Sequence, residues 1–348
     1  MQGRVAALDG IRALCILIVL FAHASGTGAI PMTRFAHLAG DLGVRGFFVL
    51  SGFLITSLLA RELDRPAPLV LRDFYLRRAL RIFPAFYAFL GGVMILSSLG
   101  LTSWNQRDAI YAATYTMNFH GERVWSLGHL WSLAVEEQFY LLWPALLIVL
   151  GMARARRALY AALVLAPIAR LVTWQLAPAL ADQAFPCVCD SLATGCLLAL
   201  APKVTRIRRV NVWWCVPAMA SLLVENPWFQ LGLASTAANL GLALAIDRGL
   251  AVRPRVLESR VLVRLGVLSY SIYLWQQVFV NRHSTAWFAR FPVNVLFGVA
   301  AGALSYSLVE RPFLRLKALL AARRAHPGAS APGFQTLRAD LSVDRSRS

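Results

Sequence analysis

The first apolar run of the chain carries Arg12 and His23, eleven residues apart. At 100° per residue they share one helical face, separated by about 16 Å along the axis. A later run, HLWSLAVEEQFYLLWP, holds Glu136 and Glu137 about 8 Å inside its predicted outer edge, with Ser132, Glu136, Tyr140 and Trp143 forming a polar and aromatic stripe. A histidine supported by a carboxylate is the smallest apparatus for taking a proton from a hydroxyl, because the carboxylate orients the ring and stabilises its charged form. His23, Glu136 and Glu137 are therefore the candidate catalytic residues. A third group, Arg77, Arg78 and Arg81 in LRDFYLRRALRIFPAFY, falls within about 100° of arc on a helix just before Pro84. Several guanidinium forks on one face suit a polyphosphate ligand, and Arg12 extends the same cationic path.

Plainer readings stand beside these. Arg12 and His23 are also what a snorkelling arginine and an interfacial histidine would look like. The arginine triad also fits a positively charged membrane anchor, and Glu136 could instead pair with a buried arginine such as Arg45. Tyr270, Tyr273 and Gln277 share a face of a later run, where aromatic packing at an interface is the default. Glu310 and Arg311 read as a boundary salt bridge. His37, His120, His283 and His326 fall in connections or the tail and carry no assigned role.

The elements that must position these residues are membrane helices. Of 348 residues, 58% are hydrophobic and 15% charged, and mean hydropathy is +0.58. Soluble domains carry about a quarter charged residues, so the expected fold is an all-α polytopic membrane protein with no room for a sizeable soluble domain. Apolar runs between charge clusters mark ten candidate spans, near residues 8–24, 42–60, 84–101, 131–150, 158–176, 187–201, 211–224, 229–247, 265–282 and 293–310. With a cytoplasmic N-terminus, 27 of the 35 basic residues fall on the cytoplasmic side and five on the other. That asymmetry is the positive-inside rule. It accounts for the net charge of +18 without nucleic acid and places both termini in the cytoplasm. The domain boundaries expected are a membrane domain over 1–317 and a basic, disordered cytoplasmic tail over 318–348. A cleavable signal ending at Ala22-His23-Ala24 is disfavoured by Asp9 and Arg12 in the apolar run. Five cysteines lie mostly in apolar runs without paired spacing, so neither a metal site nor a disulfide framework is expected.

Five stretches, LDGIRALCILIVLFAH, GVRGFFVLSGFLIT, RRALRIFP, HLWSLAVEEQFYLLWP and LSYSIYLWQ, closed by SYSLVERP, together resemble the acyltransferase 3 family of bacterial integral-membrane acyltransferases. The resemblance implies a ten-helix domain in the bacterial cytoplasmic membrane, among membrane lipids. It would move an acyl group, commonly acetyl, from cytoplasmic acyl-CoA to a hydroxyl of a carbohydrate or lipid-linked glycan. No permanently bound cofactor is implied; acetyl-CoA is the expected donor. The family's Arg-x10-His signature falls on Arg12 and His23, its arginine-rich motif on Arg77, Arg78 and Arg81, and its acidic position on Glu136, with Glu137 adjacent. Arg45 stands where many members have an acid, and Gln276 where many have histidine. Some members carry an extracytoplasmic hydrolase-like domain; here a separate helper protein is the expectation. The resulting mechanism puts acyl-CoA phosphates on the arginines and the pantetheine arm along the Arg12–His23 face. His23, oriented by Glu136 or another acid, then acts as general base on the acceptor hydroxyl or through a transient acyl-histidine. The rival class is a secondary transporter or flippase, for which paired half-chain repeats would speak; none is visible. A noncatalytic assembly partner would leave the Arg, His and Glu constellation without a role.

Overall fold

The computed structural model describes residues 5–28, 30–64, 70–201 and 210–325. Arg4, Arg65, the basic segment over 202–209 and the tail from 326 onward lie outside the described residues. Those described form helices and connections, with no strand among them. In chain order, α1 (Ala6–Ala24), α2 (Arg34–Leu63) and α3 (Leu71–Ser98) lead to a connection containing two short helices, α4 (Gln106–Ala113) and α5 (Trp125–Gly128). Then come α6 (Leu130–Leu176), α7 (Phe185–Leu200) and α8 (Cys215–Ala220). The short α9 (Pro227–Phe229) passes through one π-helical turn into α10 (Ser235–Val252). The last three are α11 (Arg260–Phe279), α12 (Val293–Ser305) and α13 (Arg311–Ala325), the latter two joined by a second π-helical turn over Tyr306–Glu310.

Among the described residues, seven helical stretches are long and apolar enough to cross a membrane. Large apolar side chains point outward along them, among them Val149 at 78% and Leu176 at 81% exposure; a bilayer hides such surface and water does not. Two expected spans, 131–150 and 158–176, are one continuous element, α6, broken at Gly151 by backbone angles of φ 69° and ψ 163°. A left-handed φ costs glycine least, so the chain turns there without a loop. The seventh expected span, 211–224, contains only α8 with a single helical turn on either side. At the other end α13 runs to Ala325, past the expected start of the tail at 318.

Helix directions follow from which residues meet. α1 and α11 lie side by side and parallel: Gly266 abuts the Asp9 backbone, Arg12 meets Ser269, and His23 meets Gln277. α3 runs the same way, with Tyr270 bonded to the Ile82 carbonyl and Trp275 against Gly92. α2 and the first arm of α6 run together, joined by Ser51–Glu136 and Thr56–Trp143. α2 also packs on α7 at Gly52 and Gly195, where any Cβ would collide with the facing backbone. Small residues let membrane helices approach that closely, and dispersion and polar contacts then hold them.

A buried polar network ties this side of the bundle together. Arg170, fully buried, donates to both carboxylate oxygens of Asp190 at 3.0 Å, to Thr236 Oγ1 at 2.7 Å and to the carbonyls of Leu231 and Cys187 at 2.6 Å. Arg45 donates to Asp41 at 2.7 Å and Ser235 Oγ at 3.0 Å, so its carboxylate partner is Asp41 and not Glu136. Glu310 likewise accepts from Ser271 Oγ at 2.9 Å instead of closing on Arg311. Removing one partner of a buried pair strands the other charge and costs about 3–5 kcal/mol. Asp190→Ala should therefore lower the unfolding temperature in detergent sharply, and Arg170→Met together with Asp190→Leu should recover part of the loss. Equal stability of Asp190→Ala and the native chain would show that the pair is dispensable.

Candidate active site

Between α1, α2, α3, α6 and α11 lies a cavity of about 550 Å³. Arg12, Arg77, Arg78 and Arg81 all line it, so the helical arc read from the triad does face one space. Glu136 and Glu137 line it as well. Three further cations share it: Arg61 from the end of α2, Arg253 just past α10, and Lys317 on α13. Arg61 and Arg253 are exposed and mark the mouth, whereas Arg12, Arg78 and Arg81 are half-buried. Arg253 caps α10 in the left-handed conformation, φ 48° and ψ 61°, with its N–H on the Gly249 carbonyl. That backbone is uncommon for a side chain with a Cβ. It reverses the chain so that Arg253 reaches the cavity.

The cations differ in how they are held. Arg77 is paired with Glu62 at 2.7 Å. Arg78 lies over the Tyr140 ring, 4.5 Å from its centroid, a position that orients the guanidinium without using its hydrogen-bonding edge. Tyr140 donates to Ser51 Oγ at 3.0 Å, and Ser51 donates to Glu136 Oε1 at 2.6 Å. Arg12 donates from Nε to Ser269 Oγ at 3.3 Å. Within the triad, Arg77 is the one paired with an acid among the described residues, and Arg78 and Arg81 keep their donors for another partner.

The far end of the cavity is closed by Ser132 and Tyr273, whose hydroxyl oxygens are 2.6 Å apart; Tyr273 also reaches the His129 carbonyl at 3.1 Å. Behind that pair stand two histidines joined by one amide. Gln277 Oε1 accepts the His129 backbone N–H at 3.1 Å and lies 2.9 Å from His129 Nδ1, while Gln277 Nε2 is 3.2 Å from His23 Nε2. His129 Nε2 is 3.0 Å from the Leu274 carbonyl. The His23 ring packs edge-on against Trp125 at 6.0 Å, and the Arg282 guanidinium covers the Trp125 ring at 4.6 Å. His23 Nδ1 makes no hydrogen bond of good geometry among the described residues, and neither does the side-chain amide of Gln276, which lies close enough to the ring to interact with it.

His23 is thus outside the cavity lining, one layer beyond Tyr273, and Glu136 is not beside it. The two were expected at one depth. α6 begins at the level of His23, through His129, and seven residues of helical rise carry Glu136 about 10 Å toward Arg12. Gln277 takes the place beside His23 that was expected for a carboxylate. His129, at the head of the run that carries Glu136, is 2% exposed and makes two ring contacts. Gln277 shares a helical face with Tyr270 and Tyr273, and that periodicity was its one visible signal. Arg61, Arg253 and Lys317 gave none, because elements distant in sequence bring them together.

The acyltransferase 3 profile, described as an acyltransferase domain, matches residues 5–310. A peptidoglycan O-acetyltransferase, OatA, of Listeria monocytogenes is 27% identical over 88% of this chain and 55% of its own length. The O-acetyltransferase OatA of Staphylococcus aureus is 27% identical over 88% of this chain and 56% of its own. The chain therefore spans just over half the length of these relatives. No solved structure matches it. With the profile covering nearly all of the described helices and the signature residues gathered around one cavity, the chain belongs to the acyltransferase 3 family, and residues 5–310 are its acyltransferase domain.

Proposed function

We propose that the protein is a membrane O-acetyltransferase that takes an acetyl group from cytoplasmic acetyl-CoA and places it on a hydroxyl of a cell-envelope carbohydrate. The observation that carries this reading is the cavity itself, which gathers seven basic side chains against two carboxylates and closes on a polar pair next to His23. CoA bears a 3′-phosphate and a diphosphate, and phosphate groups at neutral pH are the anions that guanidinium forks grip best. The relatives' names support acetyl as the group moved and a carbohydrate such as peptidoglycan as the acceptor.

In this reading Arg78 and Arg81, with Arg61, Arg253 and Lys317 toward the mouth, hold the phosphates, and the pantetheine arm runs past Arg12 and Glu136. The Tyr273–Ser132 pair must part for the thioester to reach His23. His23 takes the proton of the acceptor hydroxyl as its oxygen attacks the thioester carbonyl; the C–S bond breaks and the CoA thiolate leaves with that proton. Titrating the purified protein with acetyl-CoA and with acetyl-pantetheine tests the grip. Acetyl-CoA should bind and acetyl-pantetheine, which has no phosphates, should not; equal binding of both would remove the phosphate site.

We read ten crossings: α1, α2, α3, the two arms of α6, α7, the segment 212–223, α9 with α10, α11 and α12, with both termini in the cytoplasm. The parallel course of α1, α3 and α11 and the opposite course of α2 and the first arm of α6 support that order. So does the position of the basic residues. Reporter fusions after residues 70, 155, 255 and 325 should be cytoplasmic. A periplasmic signal after residue 70 would put the cavity mouth on the wrong side for a cytoplasmic donor.

A further inference from the structure

A guanidinium stands beside His23 on the side away from the cavity. Arg282, just past the end of α11, lies over the Trp125 ring with its guanidinium carbon 4.6 Å from the centroid, and the same ring meets His23 at 6.0 Å. Those two distances laid end to end are the most that can separate guanidinium from imidazole, and the charge of Arg282 acts on His23. Trp125 is itself fixed: its indole N–H donates to the Val280 carbonyl at 2.9 Å, and His283 packs edge-on against it at 5.5 Å. The Arg282 stem passes Gly26, where a Cβ would lie 3.8 Å from both its Cβ and its Cδ. Gly26, at φ +87°, donates its N–H to the Ile30 carbonyl at 2.8 Å, so the turn after α1 folds against that stem.

Arg282 is held by stacking and packing, and its donors are barely used. Nε is buried without a hydrogen-bond partner among the described residues, and Nη1 meets the Met32 sulfur at 3.2 Å. A thioether is a weak acceptor, and no acid among the described residues pairs with Arg282. Other arginines toward this end of the bundle are committed or solvated. Arg34 pairs with Glu225, Arg123 donates to the Met117 carbonyl and to Gln183, and Arg107 and Arg290 are exposed. A donor withdrawn from water without an acceptor costs stability, so a guanidinium seated this way is suited to an acceptor that arrives with a ligand. Arg78, stacked on Tyr140 inside the cavity, is seated in the same manner.

We propose that Arg282 is an acceptor-binding residue that holds an anionic group, a carboxylate or a phosphate, carried by the glycan whose hydroxyl is presented to His23. The inference rests on the transfer reading given above. Stacking on Trp125 leaves the edge of the guanidinium open, and that planar fork matches the paired oxygens of a carboxylate or phosphate. One indole contacts both Arg282 and His23, so it fixes the spacing between bound anion and reacting hydroxyl. A glycan with an acid on the reacting sugar or the next one fills both positions, whereas a neutral glycan leaves the fork empty.

The test compares two soluble acceptors, a neutral N-acetylglucosamine oligosaccharide and a carboxylate-bearing glycan of the same length. Acetyl-CoA is the donor, and the full chain is kept in a non-ionic, phosphate-free detergent so that no lipid headgroup supplies the anion. The native protein should show the lower KM for the carboxylate-bearing glycan. Arg282→Gln should raise that KM about 10- to 10²-fold, the worth of a hydrogen bond to a charged group, and so abolish the preference, with kcat altered less than KM and acetyl-CoA affinity unchanged. Arg282→Lys, which keeps the charge without the fork, should recover part of the loss. Equal KM values for the two glycans in the native protein would overturn the proposal and leave Arg282 to a lipid phosphate. A loss in Arg282→Gln of the same size with both glycans would overturn it as well, making Arg282 a prop for Trp125. Acetylation of neither glycan by native protein that binds acetyl-CoA would instead remove the transfer reading on which the proposal rests.

Discussion

His23→Gln should lower acetyl transfer by about 10²- to 10⁴-fold, the usual loss when a positioned base is removed, while the protein inserts normally and binds acetyl-CoA as before. The separation of the two effects comes from geometry. The cations proposed to hold the phosphates line the cavity, whereas His23 lies beyond the Tyr273–Ser132 pair at its closed end. Glutamine keeps the polarity and much of the volume of histidine but cannot take a proton at neutral pH. Near-native turnover in His23→Gln, followed as transfer of radiolabelled acetyl, would make His23 structural. The reactive centre would then have to be sought at Glu136 and Glu137 inside the cavity.

Replacing Arg78 and Arg81 together with Ala should weaken acetyl-CoA binding by about 10²-fold or more. A hydrogen bond to a charged group is worth about 1.5–3 kcal/mol, and each 1.4 kcal/mol is a factor of ten. These two are the informative pair because Arg77 is already neutralised by Glu62 at 2.7 Å. Membrane orientation should survive, since Arg61 and Arg72 remain on the same side. Lysine at both positions should restore only part of the affinity, keeping charge but losing the planar fork, and Arg78→Lys would also give up the stacked seat on Tyr140. Calorimetric titration of the two double variants checks this. Unchanged affinity in the Ala protein would reduce the cluster to a membrane anchor.

The membrane class and the face shared by Arg12 and His23 were legible because each depends on one helix at a time. Apolar runs locate helices, and 3.6-residue periodicity fixes which side chains align along one axis. Both residues do face α11, at Ser269 and Gln277. The pairing of His23 with Glu136 failed for a different reason. It depends on how far α6 is shifted along α1, and no periodicity within either helix encodes that shift. The same holds for Arg253 and Lys317, which reach the cavity from beyond α10 and from α13. Gly151 was hidden for a local reason: charge clusters suggested a loop after residue 150, whereas one left-handed glycine breaks α6 without one.

The central claim is that acetyl passes from a CoA held at the cavity to a hydroxyl approached through His23 from the other membrane face. Proteoliposomes of known orientation, given radiolabelled acetyl-CoA on one side and a soluble glycan acceptor on the other, test it in one measurement. Labelled glycan should form when acetyl-CoA is on the side of Arg61 and Arg253, and not with the two substrates exchanged or with His23→Gln. Labelled glycan formed only when both substrates share a side, or formed equally by the His23→Gln protein, would contradict it.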